Sequence, residues 1–211
     1  MSARRPYQSR LREEQTRQTR TLILEALIDL VNAEGVAELS IRDLAARAGV
    51  AERTVYRHFP DRQALVDALG EHVAERSKWL EISDVDRDRG TGGATAAELV
   101  ELLPQAYARF DAAERELRAL VLLNLDPART ASVSRAHRDE IARVVARCYP
   151  SLDDGEVAEA TAVLALLGSS RTWLRFRDEA GLSPAQAARA AQRAARAVIA
   201  DLEARLASRA G

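Results

Sequence analysis

The sequence predicts an all-α fold, and three observations support that prediction. Only 4% of the 211 residues are aromatic, whereas alanine, leucine, arginine and glutamate, which favour helices, are abundant. Residues that break regular structure are few, with 10 glycines and 6 prolines. Apolar residues recur at helical spacing along most of the chain, so about nine helices and no strand are expected.

The composition also excludes several classes of protein. A single cysteine cannot close a disulfide bridge within the chain. No apolar run approaches the ~20 residues needed to span a bilayer, and the polar N-terminus lacks the apolar core of a secretory signal. We therefore expect a soluble, cytoplasmic protein with no membrane partner.

Charge is distributed unevenly, although the formal net charge is only -1. Residues 1–20 contain six arginines against Glu13 and Glu14, which suggests a local anionic partner. Residues 1–15 show no apolar periodicity and are predicted to form a flexible basic arm. Such an arm either lies along nucleic acid, in a minor groove or on phosphates, or is a disordered solubilising tail, and both hypotheses remain open.

The next predicted helices form one unit over residues 16–62. The first of them is apolar on most of its surface, so neighbouring helices must cover it. Its narrow polar stripe consists of Thr21, Glu25, Asp29 and Asn32. It ends near Gly35. The second helix begins with Ser40 and Asp43, spaced like a capping box, and the third runs from Ala51 to His58.

The later helices are marked by residues that start and stop helices. Asp61 opens the fourth helix, which is predicted to reach about Ile82. One long helix is expected between Asp154 and Ala180. The last begins at Ser183-Pro184-Ala-Gln186, which combines a cap, a proline at the first helical position and a capping-box glutamine.

The second and third helices are joined in the manner of a helix-turn-helix, whose second helix enters the major groove of DNA. Gly49 permits the positive φ that the tight turn needs. An apolar side holds the two helices together, and hydrogen-bonding side chains occupy the other side. The apolar side is Leu44, Val50, Val55 and Phe59, and the other side is Glu52, Arg53, Thr54, Arg57 and His58. Many helical hairpins with a glycine turn bind no DNA, so the motif alone leaves that alternative open.

The segment LSIRDLAARAGVAERTVYRHFPDRQALVDAL (Leu39 to Leu69) resembles the TetR family of bacterial transcription regulators. It contains the family's Ala-Gly-Val, Thr-Val-Tyr and His-Phe groups, and Arg62 stands where the family usually has lysine. The resemblance covers roughly Leu22 to Leu69, and the remainder matches only in length and helix count. It implies a helix-turn-helix DNA-binding domain over residues 16–62 and a helical effector-binding and dimerisation domain over residues 63–211.

The resemblance also implies roles for residues of the hairpin. At the start of the second helix, Ser40 and Ile41 would meet phosphate and Arg42 would pair with guanine. The predicted base readers are Glu52, Arg53, Thr54 and Arg57, and the predicted contacts to the DNA backbone are Tyr56, His58 and Arg62. Glu52 either accepts a hydrogen bond from cytosine or only restrains Arg53.

One recognition helix reads too few base pairs for genomic specificity, so we expect a homodimer on double-stranded operator DNA. In the TetR family the last two helices pair with their symmetry mates as a four-helix bundle. A stripe on the last helix fits that seam: Ala187, Ala188, Ala191, Ala195, Val198, Leu202 and Leu206, completed by Val163, Leu166, Leu167 and Leu174. Packing of the same residues within one chain is the alternative.

The resemblance further implies a cavity for a small-molecule effector of unknown identity. The larger or polar-tipped residues of this domain are candidates to line it: Trp79, Leu103, Tyr107, Phe110, Leu122, Asn124, His137, Cys148, Trp173 and Phe176. Each is also compatible with an ordinary core or surface position. Arg171, Arg175 and Arg177 suit either an anionic effector or a solvated face.

Neither catalysis nor a cofactor is predicted. Cys148 and the three histidines have no metal-site spacing, and no phosphate-binding glycine motif is present. The predicted function is a ligand-responsive DNA-binding regulator, in the first place a repressor. The alternative is a helical sensor or interaction protein in which the hairpin is only structural.

Overall fold

The computed structural model describes residues 4–37, 39–77, 95–123 and 127–209, and within these ranges the chain forms helices and no strand. The described helices are α1 (Arg4–Glu34), α2 (Ile41–Ala48), α3 (Glu52–His58), α4 (Arg62–Ser77), α5 (Ala96–Ala112), α6 (Glu114–Leu123), α7 (Pro127–Cys148), α8 (Asp154–Leu167), α9 (Ser170–Asp178) and α10 (Pro184–Arg209). The all-α prediction is confirmed, with one helix more than expected. None of these helices is long and apolar enough to cross a membrane.

Helix α1 begins at Arg4, so the prediction of a flexible arm over residues 1–15 was wrong for its described part. Pro6 lies in the first turn, where the missing N–H costs no helical hydrogen bond. Pairs one turn apart support the exposed part of the helix, such as Arg17 Nη1 at 3.2 Å from the Glu14 carboxylate. Helix propensity and local pairs replace burial here, so the absence of an apolar period was misleading.

The first compact unit consists of Met1–Glu75 and Arg115–Leu125. Its core contains the buried side chains Ile23, Leu27, Ile28, Leu44, Val55, Phe59, Leu65, Leu69 and Val73. A division after residue 62 would leave most of α4 and nearly all of α6 outside this unit. The division into a DNA-binding domain over residues 16–62 and an effector-binding domain over residues 63–211 therefore differs from these structural units and stays a prediction about function.

The polar stripe of α1 is covered by α6 through an arginine. Arg115 Nη1 lies 2.7 Å from Glu25 Oε2, and Arg115 Nη2 lies 2.6 Å from Asp29 Oδ1. Asn32 Nδ2 donates to the Arg115 carbonyl at 2.9 Å. The hydrogen bonds that Arg115 donates to Asp29, and then those to Glu25, raise the pKa of Arg115. We call Glu25, Asp29, Asn32 and Arg115 the arginine clamp.

The second compact unit consists of Arg76–Glu114 and Asp126–Gly211. Its main core cluster includes Val100, Leu103, Ile141, Val145, Leu164, Ile199 and Leu202. The aromatic side chains Tyr107, Phe110 and Trp173 form a second group, in which Phe110 lies 5.8 Å from the Tyr107 centroid and 6.0 Å from that of Trp173. Arg196 Nη2 on α10 lies 2.7 Å from Glu101 Oε1 on α5, which joins these two helices at the surface.

The long helix predicted between Asp154 and Ala180 is interrupted, which accounts for the additional helix. Helix α8 ends at Gly168, whose N–H donates to the Leu164 carbonyl at 3.1 Å. Ser169 then caps α9 by accepting a hydrogen bond from the Thr172 N–H at 3.2 Å. A serine able to cap a new helix thus overrides a continuous apolar pattern.

The stripe predicted to form the dimer seam packs mostly within the chain. Its buried members are Ala187, Ala191, Ala195 and Leu202 on α10, together with Leu167 and Leu174. For these residues the alternative of packing within one chain is correct. Two residues of the set differ, because Val163 and Leu166 on α8 are 42% and 58% exposed.

Candidate functional site

Helix α2 begins with the cap that the sequence predicts. Ser40 has extended backbone geometry, and its Oγ accepts a hydrogen bond from the Asp43 N–H at 3.1 Å. The same hydroxyl donates to the Asp43 carboxylate. The Ser40 hydroxyl proton is therefore engaged within the chain, which leaves the N–H groups of the first turn, at Ile41 and Arg42, to face an anion.

The turn between α2 and α3 has the predicted geometry. Gly49 has a φ of +67°, its N–H donates to the Ala46 carbonyl at 3.2 Å, and the Val50 N–H donates to the Ala45 carbonyl at 3.0 Å. A side chain at Gly49 would be strained by this φ although the space around it is open. The turn therefore fixes the direction in which α3 leaves α2.

Helix α3 has one buried side and one exposed side. Val55 is fully buried, and Phe59 directly after the helix is 1% exposed. Glu52, Arg53, Tyr56 and Arg57 are exposed, while Thr54 and His58 are half-buried. Because residues one turn apart share a helix face, the exposed four form one surface opposite Val55. We call this surface, with Thr54 and His58 at its edges, the recognition face.

An arginine of α1 to which the sequence analysis gave no role of its own supports the end of this face. The Arg20 guanidinium lies 4.8 Å from the Phe59 ring centroid, and Arg20 Nη2 lies 3.5 Å from Glu71 of α4. Burial lowers the pKa of His58, and the charges of Arg57 and Arg20 lower it further. Arg20 precedes the first buried residue of α1, Ile23, by one turn, and this spacing is the sequence signal that was missed.

The start of α4 carries the last predicted DNA contact. Asp61 caps this helix, since its Oδ1 accepts a hydrogen bond from the Ala64 N–H at 2.8 Å. Arg62 follows at the first helical position and is exposed. Arg42 in the first turn of α2 is exposed as well. Two basic residues thus stand in first turns of helices of the same unit as the recognition face.

Comparison with known proteins identifies this unit. Residues 23–69 match the model of the family described as bacterial regulatory proteins, tetR family. Over 66 residues the chain is 36% identical to the tetracycline repressor protein class A from transposon 1721 of Escherichia coli, a segment that covers 31% of each protein. Over this segment the chain is similar to TetR-family proteins. It spans only about a third of the length of the curated relatives that it matches, so the sequence likeness concerns the DNA-binding unit of the TetR family.

Solved structures extend the likeness of fold to most of the chain. NalD, described as the secondary repressor of the MexAB-OprM multidrug efflux pump in Pseudomonas aeruginosa, matches with a TM-score of 0.65 and 20% identity, over 88% of this chain and 97% of NalD. CprB from Streptomyces coelicolor, solved with its operator sequence, matches with a TM-score of 0.51 and 21% identity, over 72% of this chain and 76% of that one. These identities show a shared fold.

Several of the residues predicted to line an effector site lie together in the second unit. Leu103, Tyr107 and Phe110 follow one face of α5, and the ring of Trp173 on α9 lies against Phe110 at an angle of 59°. The polar atoms of two of them are already used, because Tyr107 Oη donates to the Leu167 carbonyl at 2.9 Å and Trp173 Nε1 donates to Asp111 Oδ1 at 2.9 Å. Burial raises the pKa of Tyr107.

Other candidates are placed elsewhere. Leu122 belongs to α6 and to the first unit. Cys148 is half-buried at the end of α7, three turns from His137, at the edge of the core cluster. Phe176 is half-buried on α9. Trp79 and Asn124 lie outside the described residues.

The arginines of α9 are engaged with the chain. Arg177 Nη1 donates to the Leu182 carbonyl at 3.2 Å, and the same side chain lies 3.9 Å from Asp111 and from Glu114. Arg175 Nε lies 3.4 Å from Glu179. These pairs favour the interpretation of a surface-paired face over a site for an anionic effector.

Proposed function

We propose that this chain is a sequence-specific transcriptional regulator, a repressor that leaves its operator when a small molecule binds. The observation that carries the proposal is the recognition face. Its polar side chains are exposed on a helix anchored by Val55 and Phe59, at an angle fixed by the Gly49 turn. A side chain held by the scaffold of its helix reads bases with less loss of freedom than one on a flexible loop.

The residues of the recognition face divide by chemistry. Arg53 and Arg57 are the primary base readers, because a guanidinium binds guanine O6 and N7 with two hydrogen bonds. Thr54 and Glu52 are secondary readers. The phosphate contacts come from Tyr56 and His58 at the end of α3, from Arg62, and from the first N–H groups of α2. Arg42 in the first turn of α2 pairs with guanine.

A homodimer completes the proposal, since two recognition helices are needed to cover an operator. Val163 and Leu166 are exposed apolar side chains on α8. Ala194 and Ala197 on α10 are exposed as well, on the side of the helix away from its buried stripe. Apolar residues on α8 and small residues on the adjacent, packed α10 suit pairing with a symmetry mate, and we place the seam there.

The effector acts through α4 in this proposal. Helix α4 runs from Arg62 at the hairpin to Ser77, past the end of the first unit at Glu75. A ligand in the second unit that shifts this helix changes the spacing of the two recognition helices of the dimer. A coupling of about 1–3 kcal/mol changes operator affinity about 5–150-fold.

Selection of bound duplexes from a random DNA pool tests the proposal and yields the operator. The variants Arg53→Ala and Arg57→Ala are each expected to lose about 1–3 kcal/mol of operator binding and to relax the preference at one base pair. The matched control is Arg47→Ala, which removes the same charge from an exposed position in the last turn of α2. Control and wild-type chains should select the same sequence.

The same selection experiment also distinguishes a DNA-binding regulator from a protein in which the hairpin is only structural. A helical sensor that retained the hairpin only for its fold would enrich no sequence, and its attraction to DNA would disappear at moderate salt for every duplex alike. Base readers whose removal leaves the selected sequence unchanged would contradict the assignment of Arg53 and Arg57.

A further inference from the structure

The second unit contains a buried histidine nitrogen that forms no hydrogen bond with any described residue. His137 Nε2 on α7 is shielded from solvent, and no group of the described residues forms a hydrogen bond with it. Burial lowers the pKa of His137, so the ring is neutral near pH 7. Buried polar atoms of native proteins are nearly always bonded to protein, water or a ligand. This nitrogen is therefore available to a molecule that enters the core.

A position without a side chain lies beside this nitrogen, next to the Leu103 side chain and the Leu164 carbonyl. A methyl group placed on the Gly168 Cα would lie 3.6 Å from His137 Nε2 and 3.7 Å from Leu103 Cδ2. Tyr107 follows Leu103 by one turn of α5, and its hydroxyl is bonded to the Leu167 carbonyl, next to Gly168. Helices α5, α7 and α8 therefore bring the Leu103 side chain and the unbonded His137 Nε2 close to Gly168 at the end of α8.

Two other polar side chains of this region already have partners. Tyr107 donates to the Leu167 carbonyl and Trp173 donates to Asp111. Thr161 Oγ1, two turns before Gly168 on α8, is also buried without a partner among the described residues, and its side chain is only 6% exposed. An imidazole and an alcohol are both neutral groups that donate or accept one hydrogen bond.

We propose that His137 Nε2 is the polar contact of the effector site and that the site takes a neutral, largely apolar molecule with a hydroxyl group. The regulatory meaning of this site rests on the proposed function. A hydroxyl donates to or accepts from the imidazole, while Leu103 and the adjacent aromatic rings contact the hydrocarbon part. Gly168 provides the approach to Nε2, because any side chain there would stand in front of the nitrogen.

Two aromatic probes of the same shape test the proposal, 2-naphthol and 2-methylnaphthalene, with binding measured by equilibrium dialysis at pH 7.5. A wholly apolar site prefers the methyl compound, since it leaves water more readily. A site with one unsatisfied nitrogen prefers the naphthol, by roughly tenfold, the usual value of one hydrogen bond to a buried group. The two hypotheses therefore predict opposite preferences.

Variants of His137 test whether the preference for 2-naphthol depends on Nε2 of this residue. His137→Phe should bind both probes but lose the preference for 2-naphthol, whereas His137→Gln, which retains a hydrogen-bonding group, should keep part of it. Thr161→Val should leave the preference unchanged. Loss of the preference in Thr161→Val but not in His137→Phe would overturn the assignment to His137.

Gly168→Ala provides a variant that the fold tolerates, because φ at this position is −82° and the added methyl group meets only ordinary contacts. It should remove the preference for 2-naphthol by blocking Nε2. The matched control is Gly155→Ala at the other, exposed end of α8, which should bind as the wild type does, and thermal melting verifies that both variants are folded.

Failure of this proposal can be distinguished from failure of the proposed function. If neither probe binds up to its solubility limit, or if 2-methylnaphthalene binds as tightly as 2-naphthol, the proposed site chemistry is wrong even when an operator is selected. If 2-naphthol is preferred through His137 but no duplex is selected, the site stands and the role in transcription does not.

Discussion

Two charged surfaces of the first unit differ in what holds their charges. On α1, Glu25 and Asp29 are both bonded to Arg115 in the arginine clamp. On the recognition face of α3, Arg53 and Arg57 are exposed and form no ion pair with any described residue. Charges of the first surface are satisfied by the chain itself, and charges of the second remain available to another molecule.

The sequence shows both surfaces in the same way, as polar residues at helical spacing. What separates them is a partner far along the chain, since Arg115 lies 90 residues from Glu25. No local pattern predicts that contact. A polar stripe on an otherwise apolar helix is therefore assigned to folding or to binding only when its partners are known.

The largest expected effect in comparing the arginine clamp with the recognition face comes from removing the buried ring that supports the recognition face. Phe59→Ala should lower the free energy of unfolding by about 3–5 kcal/mol, because it deletes a buried ring and leaves a cavity. The platform for Arg20 disappears with it. Urea unfolding measures the first effect, and an operator shift assay measures the accompanying loss of DNA binding.

Phe59→Leu serves as the control for this variant, since it keeps most of the volume and should cost less than about 1.5 kcal/mol. If Phe59→Ala unfolds as the wild type does, the ring does not anchor the recognition face, and the exposed arginines have another support.

The arginine clamp offers a second test with a smaller effect. Arg115→Met retains the length of the side chain but leaves Glu25 and Asp29 as neighbouring like charges, so a loss of about 1 kcal/mol of unfolding free energy is expected. A double-mutant cycle with Glu25→Gln measures the pairing itself. Arg53→Ala, by contrast, should leave unfolding within about 0.5 kcal/mol of wild type. A clamp variant that unfolds normally yet binds operator poorly would reverse the distinction between the two surfaces.

The parts of the fold that could be predicted from sequence are those fixed by neighbours in the chain. Ser40 with Asp43, the positive φ of Gly49 and the Gln186 side chain that accepts from the Ser183 N–H depend on residues within one turn, and each was found where predicted. The recognition face follows from the same local rules, because Val55 is buried and the residues around it alternate with helical periodicity.

The parts that could not be predicted depend on tertiary context or on a balance of weak terms. The alanine stripe of α10 fits a partner helix of the same chain or of a second chain equally well, and only the fold shows that Ala191 is buried within the chain. Arg20 supports the recognition face only because the fold brings the Phe59 ring under its guanidinium group. Sequence spacing also does not show which polar atoms of the effector candidates have partners. The Tyr107 hydroxyl is bonded to the Leu167 carbonyl, whereas His137 Nε2 has no partner among the described residues.

The phosphate contact predicted for Arg62 can be tested by the salt dependence of DNA binding. Arg62→Gln should reduce the slope of log affinity against log salt by about 0.9, the contribution of one neutralised phosphate, and weaken operator and unrelated duplexes alike. Titrations at several salt concentrations measure the slope. Arg47→Gln should leave it unchanged, and an Arg62 variant with the wild-type slope would remove this residue from the DNA contacts.

The smallest effect concerns His58, which is half-buried and whose Nε2 has no partner among the described residues. Burial first, and then Arg57 and Arg20, lower its pKa from the ordinary value of 6.5. As the pH falls through 6.5, the unfolded chain takes up a proton that the folded chain refuses, so the free energy of unfolding decreases. His58→Gln should remove that part of the decrease.

A DNA phosphate next to His58 would act in the opposite direction, because an anion raises the pKa of an imidazole. Operator binding should then take up a proton and tighten as the pH falls from about 7.5 to about 6, by less than about tenfold, which is one pKa unit. Operator titrations at constant ionic strength, with the wild type and His58→Gln side by side, isolate this contribution. Identical pH dependence in the two proteins would mean that no phosphate reaches His58, and that this nitrogen, unlike the arginines beside it, has no role on the recognition face.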